Sequence, residues 1–142
     1  MYVKQLSVFL ENREGRLEKI LEILKNNDIN IISLSLADTT DYGLLRMIVS
    51  NPDAAKKALS ENDCTAMLSD VIAIKISHKV GQLQELLAEV CKARINVEYM
   101  YALSTNDEDA SIVMKTSDTE KASKLIEAEG VDIITQEELE KM

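Results

Sequence analysis

The chain repeats itself, and this repeat constrains the fold more than any other feature of the sequence. Gly15 recurs as Gly81 in the same setting, between a charged loop and an amphipathic helix. At this spacing of 66 residues many other positions are identical. The identical pairs are Leu17/Leu83, Leu21/Leu87, Ile29/Ile95, Asn30/Asn96, Thr39/Thr105, Asp41/Asp107, Leu59/Leu125 and Glu61/Glu127. A match of this extent without a gap predicts the duplication of a whole domain.

Each half of the chain has the same predicted order of elements: strand, helix, two strands, helix and strand. Residues 5–11 alternate apolar and polar side chains, as a half-buried strand does. The helix predicted over 16–26 carries its leucines and Ile20 on one face. The other predicted elements cover 29–37, 44–50, 50–61 and 64–69 in the first half, and 71–77, 82–92, 95–103, 110–116, 118–128 and 131–135 in the second.

Local signals mark the helix starts and complete the fold prediction. Asn51 is the predicted N-cap of the second helix, with Pro52 in its first turn. Thr135 and Glu138 have the spacing of a capping box, which predicts a short C-terminal helix. The element order predicts an α+β fold of two ferredoxin-like βαββαβ units, residues 1–69 and 70–142. Each would be an antiparallel four-stranded sheet with both helices on one face.

Composition and charge exclude several classes of function. The chain has 142 residues, of which 46% are hydrophobic, so it can form a folded core. Its net charge of −9 repels phosphate backbones, which argues against nucleic-acid binding. The sequence has neither a signal-peptide pattern nor an apolar run of about 18 residues. We therefore expect a soluble, cytoplasmic protein without a membrane partner.

Motifs for catalysis and metal binding are missing from the sequence. Four glycines are too few for a glycine-rich phosphate loop. His78 is the only histidine and there is no Cys-x-x-Cys pair, so we predict no metal, no redox cofactor and no catalytic triad. Cys64 and Cys91 have apolar neighbours and are predicted to be buried, reduced thiols.

The start of the first helix in each half is a candidate binding site. A helix start has unpaired N–H groups and a partial positive charge, and both favour a carboxylate. Gly15 and Gly81 have no Cβ, so a ligand could approach closely. Asn12 and, at the same position of the second half, His78 could add polar contacts. Alternatively, each glycine serves only the turn between strand and helix.

At these residues the chain resembles a known family. The segments LENREGRLEKILEILKNNDINI and SHKVGQLQELLAEVCKARINV are similar to the ACT domain pattern, in which Asn/Asp-x-Pro-Gly-x-Leu precedes the first helix and Ile-Asn-Ile/Val opens the second strand. Both halves match, so the chain resembles a stand-alone tandem ACT protein. It departs from the pattern where the proline is replaced by Glu14 and Val80, and where Asn12 becomes His78. The two sites could therefore differ in ligand, and one could be empty.

The resemblance implies a binding site where two ACT units meet. ACT domains bind free amino acids or other small effectors and regulate metabolic enzymes, so a free amino acid and a metabolic enzyme are the implied partners. Two units side by side would join their sheets through strand two into eight strands, with each ligand between the loop of one unit and strand two of the other. The implied ligand-binding residues are Asn12, Arg13, Glu14, Gly15, Arg16, Leu17, Asn30, Ile31, Ile32, Ser33, His78, Lys79, Val80, Gly81, Gln82, Leu83, Asn96, Val97, Glu98 and Tyr99.

The sheet face without helices has a feature of its own. If Leu34 and Leu36 face the helices, then Ser33 and Ser35 face outwards. Their counterparts in the second half are Tyr99 and Tyr101. The tyrosines could anchor a homodimer or a partner enzyme, or pack within the chain.

We expect a non-enzymatic amino-acid sensor or regulatory subunit that forms a homodimer. The alternative is an oligomerisation module with vestigial pockets, and an enzyme of the same fold is the third interpretation.

Overall fold

A computed structural model describes residues 2–11, 13–38, 41–77, 79–103 and 110–141, with the backbone alone at Asp38. The chain divides into two compact units, one formed mainly by Lys4–Ser69 and the other by Asp70–Leu139. We call them the N-terminal unit and the C-terminal unit. None of the helices in the described residues is long and apolar enough to cross a membrane.

The N-terminal unit is a sheet with two helices. Its elements are β1 (Val3–Glu11), α1 (Arg16–Asn26), β2 (Ile31–Asp38), β3 (Tyr42–Val49), α2 (Pro52–Glu61) and the first part of β4 (Thr65–Ile76). The strands follow the order β2-β3-β1-β4, and β3 is antiparallel to both β1 and β2. The N-cap prediction is confirmed, because the Asn51 side chain accepts a hydrogen bond of 3.2 Å from the Ala54 N–H.

The C-terminal unit repeats this plan. Its elements are the second part of β4, α3 (Gln82–Lys92), β5 (Val97–Leu103), β6 (Ala110–Thr116), α4 (Thr119–Ala128), β7 (Asp132–Ile134) and α5 (Gln136–Glu140). The strands follow the order β5-β6-β4-β7. The Thr135 hydroxyl accepts from the Glu138 N–H at 3.2 Å, which confirms the predicted cap of the last helix. The predicted α+β fold of two ferredoxin-like units is thus confirmed.

Two details of the strand prediction are wrong. The strands predicted over 64–69 and 71–77 form one strand, β4, of 12 residues, so the described residues hold seven strands and not eight. The predicted pairing of the two second strands is also missing from the described residues, since β2 pairs only with β3 and β5 only with β6. β4 contains residues of both units, because no turn interrupts it between Thr65 and Ile76.

The helices cover one face of each sheet and form its core. In the N-terminal unit the fully buried core residues include Leu6, Val8, Leu24, Leu45, Met47 and Leu59. In the C-terminal unit they include Ile72, Ile74, Met114, Ala122 and Ile126. Leu34 and Leu36 pair with Met47 and Leu45 and so face the helices, as predicted. They are nevertheless 46% and 47% exposed, because β2 is the outermost strand.

The repeat shifts by one residue part-way through each unit. The Asn30 N–H donates to the Ser50 hydroxyl at 2.9 Å, and the Asn96 N–H donates to the Ser117 hydroxyl at 2.9 Å. The spacing is therefore 66 residues at the asparagines but 67 at the serines. Asp118 consequently matches Asn51 as a helix cap. The prediction of a repeat without a gap is therefore wrong for the second part of each unit. Leu59 corresponds to buried Ile126 and not to Leu125.

The strand pairing locates the extra residue of the second unit. Ala37 and Leu103 are still 66 apart and Gly43 and Ala110 are 67 apart, so the extra residue falls within 104–109, outside the described residues.

Both cysteines are free thiols. The predicted burial is wrong for Cys91, which is exposed, and Cys64 is only half-buried. Cys91 lies on α3 directly after buried Val90, so the helix turns it away from the core.

Candidate functional site

The first helix of each unit starts at a glycine in the left-handed region. Gly15, the N-cap of α1, has φ of 82°, and Gly81, the N-cap of α3, has φ of 84°. Few other residues adopt this conformation without strain, so turn geometry alone accounts for both glycines. A Cβ built on either glycine would meet no atom within 4 Å among the described residues. As far as these residues are concerned, the space beside each helix start is open.

The two glycine N-caps leave helix donors available. The second helices are capped by side chains: Asn51 accepts from the Ala54 N–H, and Asp118 accepts from the Lys121 N–H at 3.1 Å. A glycine has no side chain that could accept from the first turn of α1 or α3. The Arg16 and Gln82 N–H groups donate to the Arg13 and Lys79 carbonyls at 3.4 and 3.2 Å. The later N–H groups of the first turn receive no cap from the glycine, and the positive end of the helix dipole there favours an anion.

A side-chain bridge closes each of these loops. In the N-terminal unit the Glu11 carboxylate lies 3.4 Å from Arg16 Nη2 and 3.3 Å from Arg13 Nε. At the same positions of the C-terminal unit, the Gln82 side-chain oxygen accepts from the Ser77 N–H at 3.0 Å and from the Ser77 hydroxyl. The bridge is thus charged in one unit and neutral in the other. The sequence analysis did not identify Glu11 and Ser77. Each lies five residues before the first residue of its helix, and this shared spacing could have indicated both.

The predicted loop residues lie around these helix starts. Arg13, Glu14, Lys79 and Val80 are exposed in the turns, and Val80 is 97% exposed. The first-turn residues are half-buried, and they are Arg16, Leu17, Gln82 and Leu83. Asn12 and His78 lie outside the described residues.

The predicted second-strand residues are more enclosed. The backbones of Asn30 and Asn96 are held by the serine hydroxyls described above and accept from the Ser50 and Ser117 N–H groups at 2.9 Å. The pairing then shifts register between Ile31 and Ser33 and, in the other unit, between Val97 and Tyr99. Ile32 and Ser33 are buried, Ile31, Val97 and Tyr99 are half-buried, and Glu98 is exposed.

Within one unit the structure does not bring the loop residues and the second-strand residues together. The loop precedes α1, whereas Asn30 follows its C-terminal end. Since α1 has 11 residues, the helix separates the two groups by about 16 Å. The same holds for α3, which also has 11 residues. A site built from both groups therefore needs a second unit.

A groove beside the C-terminal helix start has a volume of about 730 Å³. Its walls are the end of β4, the loop before α3, two turns of α3 and the start of β6. The lining residues are Ile76, Ser77, Lys79, Gly81, Leu83, Gln84, Leu87, Ala88, Ala110 and Ile112. Lys79, Gly81 and Leu83 belong to the predicted site, and sequence reasoning missed the others.

The N-terminal unit has a pocket of different character. It measures about 210 Å³ and lies between α1, β1 and the start of β4. Glu11, Arg16, Lys19 and Asp63 give it charged walls.

The family model of an ACT domain pair matches residues 1–142. The chain belongs to the ACT domain family. The crystal structure of protein BT0572 from Bacteroides thetaiotaomicron is 36% identical, with a TM-score of 0.93 over 100% of this chain and 98% of that chain. No curated protein matches.

More distant structures share the ACT fold. The regulatory subunit of aspartate kinase from Thermus thermophilus is 16% identical, with a TM-score of 0.58 over 88% of this chain and 91% of that chain. The aspartate kinase of Clostridium acetobutylicum is 18% identical, with a TM-score of 0.56 over 88% of this chain and 32% of that chain. At these identities the likeness concerns the fold.

The tyrosines of the second ACT unit lie on the sheet face opposite the helices. Met100 pairs with buried Met114 on the helix side, so Tyr99 and Tyr101 point to the other face. Both are half-buried there. Their side chains therefore offer less free surface than the exposed pair Phe9 and Tyr42 on the N-terminal unit, whose ring centroids are 6.4 Å apart.

Proposed function

We propose that this ACT domain pair is a non-catalytic sensor that binds free amino acids at the starts of α1 and α3 and regulates a metabolic enzyme. The observation that carries the proposal is the pair of glycine N-caps, which give no side-chain cap to the helix and, among the described residues, leave open space beside it in both units. Family membership supports it, and so does the likeness to a protein described as a regulatory subunit of aspartate kinase.

The chemistry of the helix start suits the constant part of an amino acid. The α-carboxylate would accept hydrogen bonds from the first-turn N–H groups, where the helix dipole favours negative charge. Arg13 beside α1 and Lys79 beside α3 add positive charge next to each helix start. Binding of the α-carboxylate and the α-ammonium would be common to both sites, and the lining residues that differ between the sites would contact the ligand side chain and set the specificity.

The second half of each site would come from another copy of the chain. β2 and β5 each have one neighbour in the strand order, so each has an edge at which a further strand could pair. We propose a homodimer in which the start of an edge strand, residues 30–33 or 96–99, approaches the loop of the other copy. A ligand that touches both copies would strengthen their association, because it binds only the paired state.

A thermal-shift panel of the twenty amino acids tests the sensor. At least one should raise the melting temperature, because a ligand at a hundredfold excess over its Kd stabilises the folded state by about 2.7 kcal/mol. Isothermal titration calorimetry should give a Kd in roughly the micromolar to millimolar range. If no amino acid at millimolar concentration shifts melting or releases heat, the protein is not an amino-acid sensor.

An oligomerisation module with vestigial pockets is the second candidate. The half-exposed Leu34 and Leu36 on an outermost strand favour it, since apolar side chains on an open edge promote association without any ligand. Stable dimers that do not respond to any amino acid would support the module over the sensor.

A further inference from the structure

The groove in the C-terminal unit differs in chemistry from the matching surface of the N-terminal unit. Among the described residues that line the groove, Lys79 is the only charged one. The N-terminal counterparts of Ser77, Gln84 and Ala88 are the acidic residues Glu11, Glu18 and Glu22. The matching surface of the N-terminal unit thus carries three carboxylates, one of them paired with Arg13 and Arg16, where the groove is neutral or apolar.

The two units also differ in side-chain volume next to the groove. Ala102 pairs with Ile112, as Leu36 pairs with Leu45 in the N-terminal unit, so Ala102 and Leu36 are equivalent. Leu36 reaches over Gly43: its Cδ1 lies 3.4 Å from the position that a Cβ on Gly43 would take. Leu36 therefore covers Gly43, whose counterpart Ala110 lines the groove, whereas Ala102 is too short to cover Ala110 in the same way.

We propose that the C-terminal site selects α-amino acids with a large apolar side chain, such as leucine, isoleucine, methionine or phenylalanine. This inference rests on the proposed amino-acid binding and adds the class of ligand for one of the two sites. Small-molecule sites commonly measure roughly 300 to 1,000 Å³ and combine apolar walls with a few polar groups. The groove has a volume of about 730 Å³ and this composition.

The layout of the groove gives the ligand a direction. Gly81 and Lys79 lie at the helix start, where the carboxylate would bind, and Leu83 is in the first turn of α3. Leu87 and Ala88 lie one turn further along, about 5 Å away. A leucine-sized side chain spans that distance and would contact Leu83, Leu87 and Ile112.

Calorimetry on the full chain tests the proposal by measuring the affinities for a series of amino acids. Leucine should bind roughly 10- to 100-fold more tightly than alanine, because it buries several more methylene equivalents. Serine, aspartate and lysine should bind at least as weakly as alanine at this site. Equal affinity for leucine and these polar amino acids would overturn the selectivity and leave the sensor intact. Absence of binding by all of them would overturn the sensor itself.

Two substitutions that copy the N-terminal unit locate the effect. Ala88→Glu introduces a carboxylate at the position that Glu22 occupies in the N-terminal unit. Ala102→Leu introduces the larger side chain that Leu36 has at the equivalent position. Each should weaken leucine binding roughly tenfold or more, because Ala88→Glu places a charge against the apolar ligand side chain and Ala102→Leu takes up space beside it. Cys91→Glu and Ala128→Leu are the matched controls and should leave leucine binding unchanged, because both positions are exposed and neither lines the groove. Circular dichroism melting confirms that the variants fold.

The same variants separate a ligand groove from a docking surface for a second copy. If Ala88→Glu and Ala102→Leu abolish self-association while leucine binding stays unchanged, the groove belongs to a protein interface and the proposal is wrong. If leucine binding falls in both variants and stays in both controls, the groove is the side-chain pocket.

Discussion

At the scale of single residues, Gly81 and Gly130 offer a matched test of the helix-start site. Both belong to the C-terminal unit, their φ values are 84° and 80°, and a Cβ on either would meet no described atom within 4 Å. Replacing either by alanine should cost about 1 kcal/mol of unfolding free energy, since alanine is strained at positive φ. Only Gly81→Ala should also weaken amino-acid binding, because only Gly81 lies at a helix start.

Urea unfolding and calorimetry measure the two effects separately. Gly130 follows the C-terminal end of α4, so its variant controls for the loss of stability alone. If Gly81→Ala loses stability like Gly130→Ala and binds amino acids normally, the glycine serves the turn and nothing else.

At the scale of elements, α1 to α4 all end in the same way. A residue at positive φ follows each C-cap: Asp28, Asp63, Arg94 and Gly130. The next N–H then bonds back to the last turn, as from Ile95 to the Val90 carbonyl at 3.2 Å. This is the Schellman arrangement, for which glycine is the usual residue.

Arg94 at the end of α3 is the least suited of these residues to a positive φ, since aspartate tolerates this region better than arginine. Arg94→Gly should therefore raise the unfolding free energy by about 0.5 to 1 kcal/mol. Glycine relieves the backbone strain, and its greater conformational entropy in the unfolded chain offsets part of this gain. Arg94→Ala is the control, because it removes the same side chain but keeps the strain. Equal stability of the two variants in urea unfolding would contradict this account.

At the scale of the whole molecule, the exposed edge of β2 should control self-association. Leu34→Lys places a charge on the outermost strand, and a charge at an edge opposes strand pairing. We expect sedimentation equilibrium to show a dimer for the unchanged chain and a shift towards monomer for the variant, partly reversed by a bound amino acid. Met67→Lys is the control, since Met67 is 55% exposed but lies on β4. A monomeric unchanged chain, or a Leu34→Lys variant that associates normally, would show that β2 is not the dimer edge.

The sequence by itself determined the elements with strong local signals. The helices predicted over 16–26 and 82–92 are observed at those bounds, because the apolar period and the glycine before each helix act within a few residues. The caps at Asn51 and Thr135 were predictable for the same reason. The helix starts were recognised as candidate sites from the glycines and from the resemblance to ACT domains.

Only the tertiary structure decided how distant residues meet. The continuity of β4 through Asp70, the outer positions of β2 and β5 and the shift of the repeat to 67 depend on strand pairing, which no local pattern specifies. The apolar groove has the same origin. Ala88 is an ordinary residue in the sequence, and it lines the groove only because α3 lies beside the end of β4 and the start of β6. Ala102 pairs with Ile112 of the groove, where the N-terminal unit pairs Leu36 with Leu45.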